Sequence, residues 1–320
     1  MKLPQASRTF QCALVVFSSM LAASAHAQER EFRLRDVNLQ KQANSVLALM
    51  GYQVVPDLTT SSLSIKNAST GNPDIGMSQL SGGFTWSRST PLYMEGGIAG
   101  SRYSPTFLMT NGDDSSHVPV KWNGLSVTAG VGWDFPTPIK EMVFRPILNG
   151  AYGYMASDLK IAESLVNRLA GTDLDFINGG HLTAVGYGGS VMLDYEHYRP
   201  EHEIDVELRY THIHLQSVGG SEAVQGHATA QTLGLWSRWR APTRMYIMRR
   251  PVRYVLEFAE SVFFGDQRDL LGFNYLTSFG AGIEFDSGRY DSIITRTRLV
   301  GRYLIGENVQ GFSVGLAVSF

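Results

Sequence analysis

The chain has 320 residues, with 27 Lys and Arg against 29 Asp and Glu and a formal net charge of −2. That balance lacks the basic surplus expected of a nucleic-acid-binding surface. With one cysteine, Cys12, the chain can form neither an internal disulfide nor a cysteine-built metal site.

Residues 1–27 read as an export leader. Lys2 and Arg8 make a basic start, Cys12 to Ala23 an apolar stretch, and Ala25-His26-Ala27 a small-residue cleavage site before Gln28. The apolar stretch is too short to span a bilayer as a helix. No later run is long and apolar enough to do so, which excludes a helical membrane protein and leaves a soluble β protein or a transmembrane barrel. Leu39, Ala43, Val46, Leu47 and Met50 then recur at helical spacing, with Gly51 as a stop. This predicts a short helix over residues 36–50, within an N-terminal segment 28–51. The helix is placed either inside the domain formed by the rest of the chain or free below it.

From residue 52 onward the period is two. Strands are predicted near 53–66, 75–87, 91–103, 122–135, 141–155, 182–197, 202–215, 227–240, 252–264, 272–286, 290–305 and 309–320. Leu125, Val127, Ala129, Val131, Trp133 and Phe135 alternate with Ser126, Thr128, Gly130, Gly132 and Asp134. Phe273, Tyr275, Phe279, Ile283 and Phe285 form another apolar row. Alternating segments of about ten residues separated by turns are the signature of a membrane barrel. The expected fold is all-β: a transmembrane antiparallel up-and-down β-barrel of about 12 strands over residues 52–320, with a short N-terminal helix.

Loop lengths fit an even count. Turns at 87–91, 135–141, 197–202, 240–252 and 286–290 fall on one side, the periplasmic one, and the long connections 104–121 and 156–181 fall outside. A helix-like stretch, Ser157 to Ala170, lies in the second of these. Trp86, Trp133, Phe135, Tyr195, Trp239, Phe285 and Phe320 lie at the periplasmic strand ends, where an interfacial girdle belongs.

The last segment alternates without error. Phe312, Val314, Leu316, Val318 and Phe320 lie on one face, and Gly311, Ser313, Gly315, Ala317 and Ser319 on the other. A strand ending on phenylalanine resembles the C-terminal insertion signal of outer-membrane proteins. Together with the strand count, the short helix, the stretch VELRYTHIHLQSVGGSEAVQGHATAQTLGLWSRWRAPT and the terminal GFSVGLAVSF, the chain from Gln28 to Phe320 resembles the solitary autotransporter-like outer-membrane barrels. The resemblance implies an autotransporter-type translocator domain without a passenger. It also implies outer-membrane lipids around it and the barrel-assembly machinery as a partner during insertion. A monomer is the expected form.

Opposite the apolar rows lies the face that lines the lumen. Its charged members are Glu203, Asp205, Glu207, Arg209, Arg238, Arg240, Arg253, Glu257, Arg296, Arg298 and Arg302. Ion pairs among them would close a narrow lumen; unpaired, they would line a diffusion pore. Catalysis has one weak candidate, His212 with Ser217 and Glu222, as in an outer-leaflet lipid hydrolase. The serine-asparagine-glycine segment that marks such barrels is missing. His212-x-His214 lacks a third metal ligand. With no phosphate loop, dinucleotide fingerprint or zinc motif, neither an enzyme nor a cofactor is expected.

Overall fold

The structure is a computed structural model describing residues 33–34, 39–54, 60–67, 74–104, 106–111, 114–119, 121–157, 181–220, 226–247, 250–270, 273–286, 296–307 and 309–319. In chain order the elements are β1 (Arg33–Leu34), α1 (Leu39–Gln53), β2 (Thr60–Asn67), β3 (Asp74–Thr85), β4 (Leu92–Ser104), β5 (Thr106–Asn111), β6 (Asp114–Pro119), β7 (Trp122–Trp133), β8 (Phe135–Pro136), β9 (Met142–Ser157), β10 (His181–Tyr198), β11 (Glu203–Gly220), β12 (His227–Ile247), β13 (Arg250–Gly265), α2 (Asp266–Leu270), β14 (Tyr275–Asp286), β15 (Arg296–Gly306) and β16 (Val309–Ser319).

Twelve strands make one antiparallel ring in the order β2-β3-β4-β7-β9-β10-β11-β12-β13-β14-β15-β16. The ring closes because β16 pairs with β2, from Val309↔Asn67 to Leu316↔Thr60. Likewise β9 pairs with both β7 and β10. Closure leaves no exposed edge, as a strand array in lipid requires. The short β8 follows β7 and pairs antiparallel with β9, from Phe135↔Phe144 to Pro136↔Val143. A separate small unit, residues 1–36 and 108–118, contains among its described residues β1, antiparallel to β5, with β6 completing a three-stranded sheet.

The burial pattern reverses that of a soluble protein. Along β7, Ser126, Thr128, Gly130 and Gly132 are buried, whereas Leu125, Val127, Val131 and Trp133 are exposed. The same holds on β16, where Ser313 and Ala317 are buried and Phe312 is 70% exposed. Leu148 on β9, at 77%, and Leu125, at 62%, are likewise bare. An outward face of this composition around a closed ring requires an apolar solvent, so the ring is a membrane-spanning barrel.

Trp86, Trp133 and Phe135 are exposed at the strand ends joined by the short turns, hereafter the turn end. Trp239, within β12, is exposed level with Ile204 near that end of β11. The opposite, loop end carries the long connections.

Several boundaries differ from those expected. The helix runs on through Gly51 to Gln53, so the first barrel strand begins not at 53 but at Thr60. Gly51 does not stop the helix because its missing side chain is used for packing: a Cβ there would lie 2.4 Å from that of Ala230. The 240–252 segment is largely strand, since β12 continues to Ile247 and β13 starts at Arg250. A register shift between Pro242 and Tyr246 absorbs the proline that suggested a turn. Phe273 leaves the outward row, because it precedes β14 and turns into the core at 2% exposure. Finally, Ser157 closes β9, and the remainder of the helix-like stretch to Ala170 lies outside the described residues, as does Phe320.

Candidate functional site: the lumen

The inward rows carry two different linings. Toward the loop end the lining is apolar. Ile75, Tyr103, Trp122, Met155, Leu182, Ile213, Leu215, Phe263, Leu304 and Val309, from strands around the ring, form one cluster with Leu47, Leu49, Met50 and Val54 of the α1 segment. Residues 47–51 are all buried, so α1 presents no solvent face there. A helix apolar on every side is a helix packed on every side. Burying each of Leu47, Leu49 and Met50 contributes about 1.5–3 kcal/mol. The fit is close: a Cβ at Gly153 of β9 would lie 2.8 Å from Met50 Sδ. Of the predicted stripe, the side chains of Leu39, Ala43 and Val46 lie outside the described residues.

Polar contacts fix the direction of α1. Asn44 Oδ1 accepts from the His227 amide at the loop end of β12, at 3.2 Å. At the other end, the Ser126 hydroxyl donates to Gln53 Oε1, and Gln79 Nε2 donates to the Gln53 carbonyl at 3.4 Å. Both partners sit part-way down their strands, so α1 runs from the loop end toward the middle of the barrel.

Below it the lining is charged. Glu203 and Asp205 on β11 meet Arg238 and Arg240 on β12, with Arg240 2.9 Å from Glu203 and 3.1 Å from Asp205, and Arg238 2.5 Å from Asp205. Glu203 also binds Arg253 and, at 2.7 Å, Arg296. Glu284 on β14 joins Arg240, Arg296 and Arg298 to the same network, at 3.2, 3.6 and 3.6 Å. Seven of the predicted lumen charges thus fall in one cluster. Glu257 on β13 and Arg302 on β15 also pair, at 2.7 Å.

Arg209 goes elsewhere: it reaches across the ring to Glu95 on β4, at 2.7 and 2.8 Å, with β7, β9 and β10 between the two strands. Asn149, Ser190 and Thr211 complete that polar layer. Glu207 faces Asp194 in register and has no ion pair among the described residues. Arg145 with Asp134, and with Asp194 at 3.0 Å, makes a further cluster at the turn end. Glu95, Asp134, Arg145, Asp194 and Glu284 are absent from the charges predicted to line the lumen. Strand parity could have found Glu95, Asp194 and Glu284, since each alternates with outward apolar residues.

The His212/Ser217 pair is not assembled. His212 is exposed on the outward face, and the Ser217 hydroxyl donates to the Gly226 carbonyl at 3.1 Å while accepting from the Gly226 amide at 3.0 Å. His214 packs edge-on against Tyr187. Among the described residues no group of three or more His, Cys, Asp or Glu is arranged to hold a metal ion.

No protein-family model and no curated relative matches the sequence. Solved structures do. The chain is similar to the beta domain of the Bordetella autotransporter BrkA, at 14% identity over 82% of this chain and 97% of that one, with a TM-score of 0.46. It is similar to the transport unit of the autotransporter AIDA-I from Escherichia coli, at 10% identity over 88% and 99%, with a TM-score of 0.47. A third is the translocator domain of the autotransporter NalP from Neisseria meningitidis, at 9% identity over 97% and 98%, with a TM-score of 0.38.

Proposed function

We propose that this chain is an outer-membrane barrel of the autotransporter-translocator type whose lumen is plugged by its own N-terminal helix. The observation that carries this reading is the complete burial of residues 47–51 inside the ring. The charged layers below α1 support it. Several of their ion pairs skip one to three strands, among them Arg253–Glu203, Arg296–Glu203 and Arg209–Glu95, and so tie separated walls together instead of lining an open passage. A narrow diffusion pore is the competing reading, and the pairing of most lumen charges disfavours it. Reconstituted in a planar bilayer, the intact protein should conduct poorly, and a variant lacking residues 28–50 should conduct much better. Equal, high conductance from both would replace the plug with the pore.

A further inference from the structure

The connection from β13 to β14 does not stay at the loop-end rim. Gly265 turns the chain with φ +61°, a backbone conformation glycine adopts without strain. The following α2 drops against α1 and the inner face of β12. Three contacts hold it there. Asp266 Oδ2 accepts from the Thr229 amide at 2.7 Å. Gln267 is fully buried, with Nε2 donating to the Ala48 carbonyl of α1 at 3.3 Å and Oε1 accepting from the Thr232 hydroxyl at 3.0 Å. Phe273, on the return limb, packs edge-on against Phe263 at 5.5 Å, and Phe263 in turn contacts Tyr52 of α1 at 5.8 Å. The loop is tied off by the Phe263 amide donating to the Asn274 carbonyl at 2.9 Å.

We propose that residues 265–268, together with Phe273 and Asn274, are a latch that holds α1 in the lumen, with Gln267 as its catch. The proposal rests on the plug reading and adds what governs it.

The coupling follows from burial. A carboxamide in an apolar layer is tolerated only while it is hydrogen-bonded. If α1 withdraws, Gln267 loses the Ala48 carbonyl, and Phe263 loses the ring of Tyr52. If the loop lifts, the Ala48 segment loses its cover and a face of α1 is bared. Each movement removes the other's partner, so helix and loop leave together or stay together. A helix meant never to move would be held as well by an apolar side chain at 267. A glutamine bonded to α1 on one side and β12 on the other specifies one seated position. Because the latch belongs to a loop-end connection, whatever displaces that loop from the loop end opens the lumen.

The test is bilayer conductance of the full chain carrying Gln267→Met, which keeps the volume and removes both hydrogen bonds. The expected result is about a tenfold higher open fraction, equivalent to about 1.4 kcal/mol, with the heat-resistant barrel band unchanged. Phe273→Leu trims the apolar half of the same latch and should move conductance in the same direction; it decides the matter if the methionine variant does not assemble. Intact-level conductance in the variants that assemble, alongside high conductance in the variant lacking residues 28–50, would overturn the latch and leave the plug. No gain from that deletion would overturn both.

Discussion

Glu203 accepts ion pairs from Arg240, Arg253 and Arg296 while its own side chain is only 8% exposed. Three guanidinium groups on three other strands therefore share one carboxylate, although Arg240 also reaches Asp205 and Glu284, and Arg296 also reaches Glu284. Neutralising it removes the carboxylate facing Arg253 and weakens the bonding of Arg240 and Arg296. The cost is below the roughly 3–5 kcal/mol of a fully buried broken pair, because the other two carboxylates remain and Arg253 and Arg296 are partly exposed. Glu203→Gln should therefore lower the temperature at which the barrel loses its heat-resistant gel mobility.

Glu141 is a different case, because it lies in a turn and faces water. Its backbone has φ 66°, and its carboxylate binds His197 Nδ1 at 2.7 Å and Arg199 at 2.9 Å, pinning the 137–141 turn to the 199–202 turn. The His197 hydrogen bond first, then that of Arg199, holds the carboxyl below its ordinary value of 4.5. A depressed carboxylate contributes stability that is present above 4.5 and lost as pH falls through the lower folded value. Acid should thus loosen these turns, and Glu141→Gln should remove that part of the acid sensitivity. Unfolding midpoints at neutral pH and near pH 3 check the sign; equal acid losses in both proteins would contradict it.

Elements were legible in the sequence wherever their faces met different solvents. A strand between lipid and lumen must alternate, and most of the predicted segments begin within about three residues of their strands. The exceptions are 53–66 and 290–305, whose strands start at Thr60 and Arg296. What failed depends on packing between distant segments. Gly51 looked like a helix stop because glycine is a poor helix former. Its role, close approach of the helix backbone to Ala230, exists only once the ring has closed around α1. Phe273 shares the parity of an outward row, but it belongs to a loop that turns inward, and no local pattern announces that. The charges were assigned to the lumen face by parity, yet their partners could not be read. Arg209 and Glu95 are 114 positions apart and become neighbours only through the closure of twelve strands. The same holds for Gln267 and Ala48, 219 positions apart. Periodicity thus reports the environment of a side chain, and closure decides its partner.

At the scale of the whole molecule, closure rests on the pairing of β16 with β2, so the last strand is both the chain's end and the seam of the barrel. Its outward row, Phe312, Val314 and Leu316, is half or more exposed and must meet hydrocarbon. Val318 and Phe320 share the parity of that row in the sequence, and β16 itself ends toward the turn end, where Ser319 is in register with Arg296. There Trp86, Trp133 and Trp239 mark the interface. Replacing Phe320 with aspartate puts a charge where an interfacial ring belongs and shortens the apolar row that identifies the seam strand. A lipid-face charge costs least near the interface. The expected defect is therefore chiefly in insertion, with less protein in the outer-membrane fraction, and only slightly in the melting of barrels that do assemble. Fractionation together with heat-dependent gel mobility separates the two. Normal abundance with normal heat resistance would show that the terminal ring has no part in insertion. Recovery of the unsubstituted protein as a soluble periplasmic species would remove the membrane assignment itself.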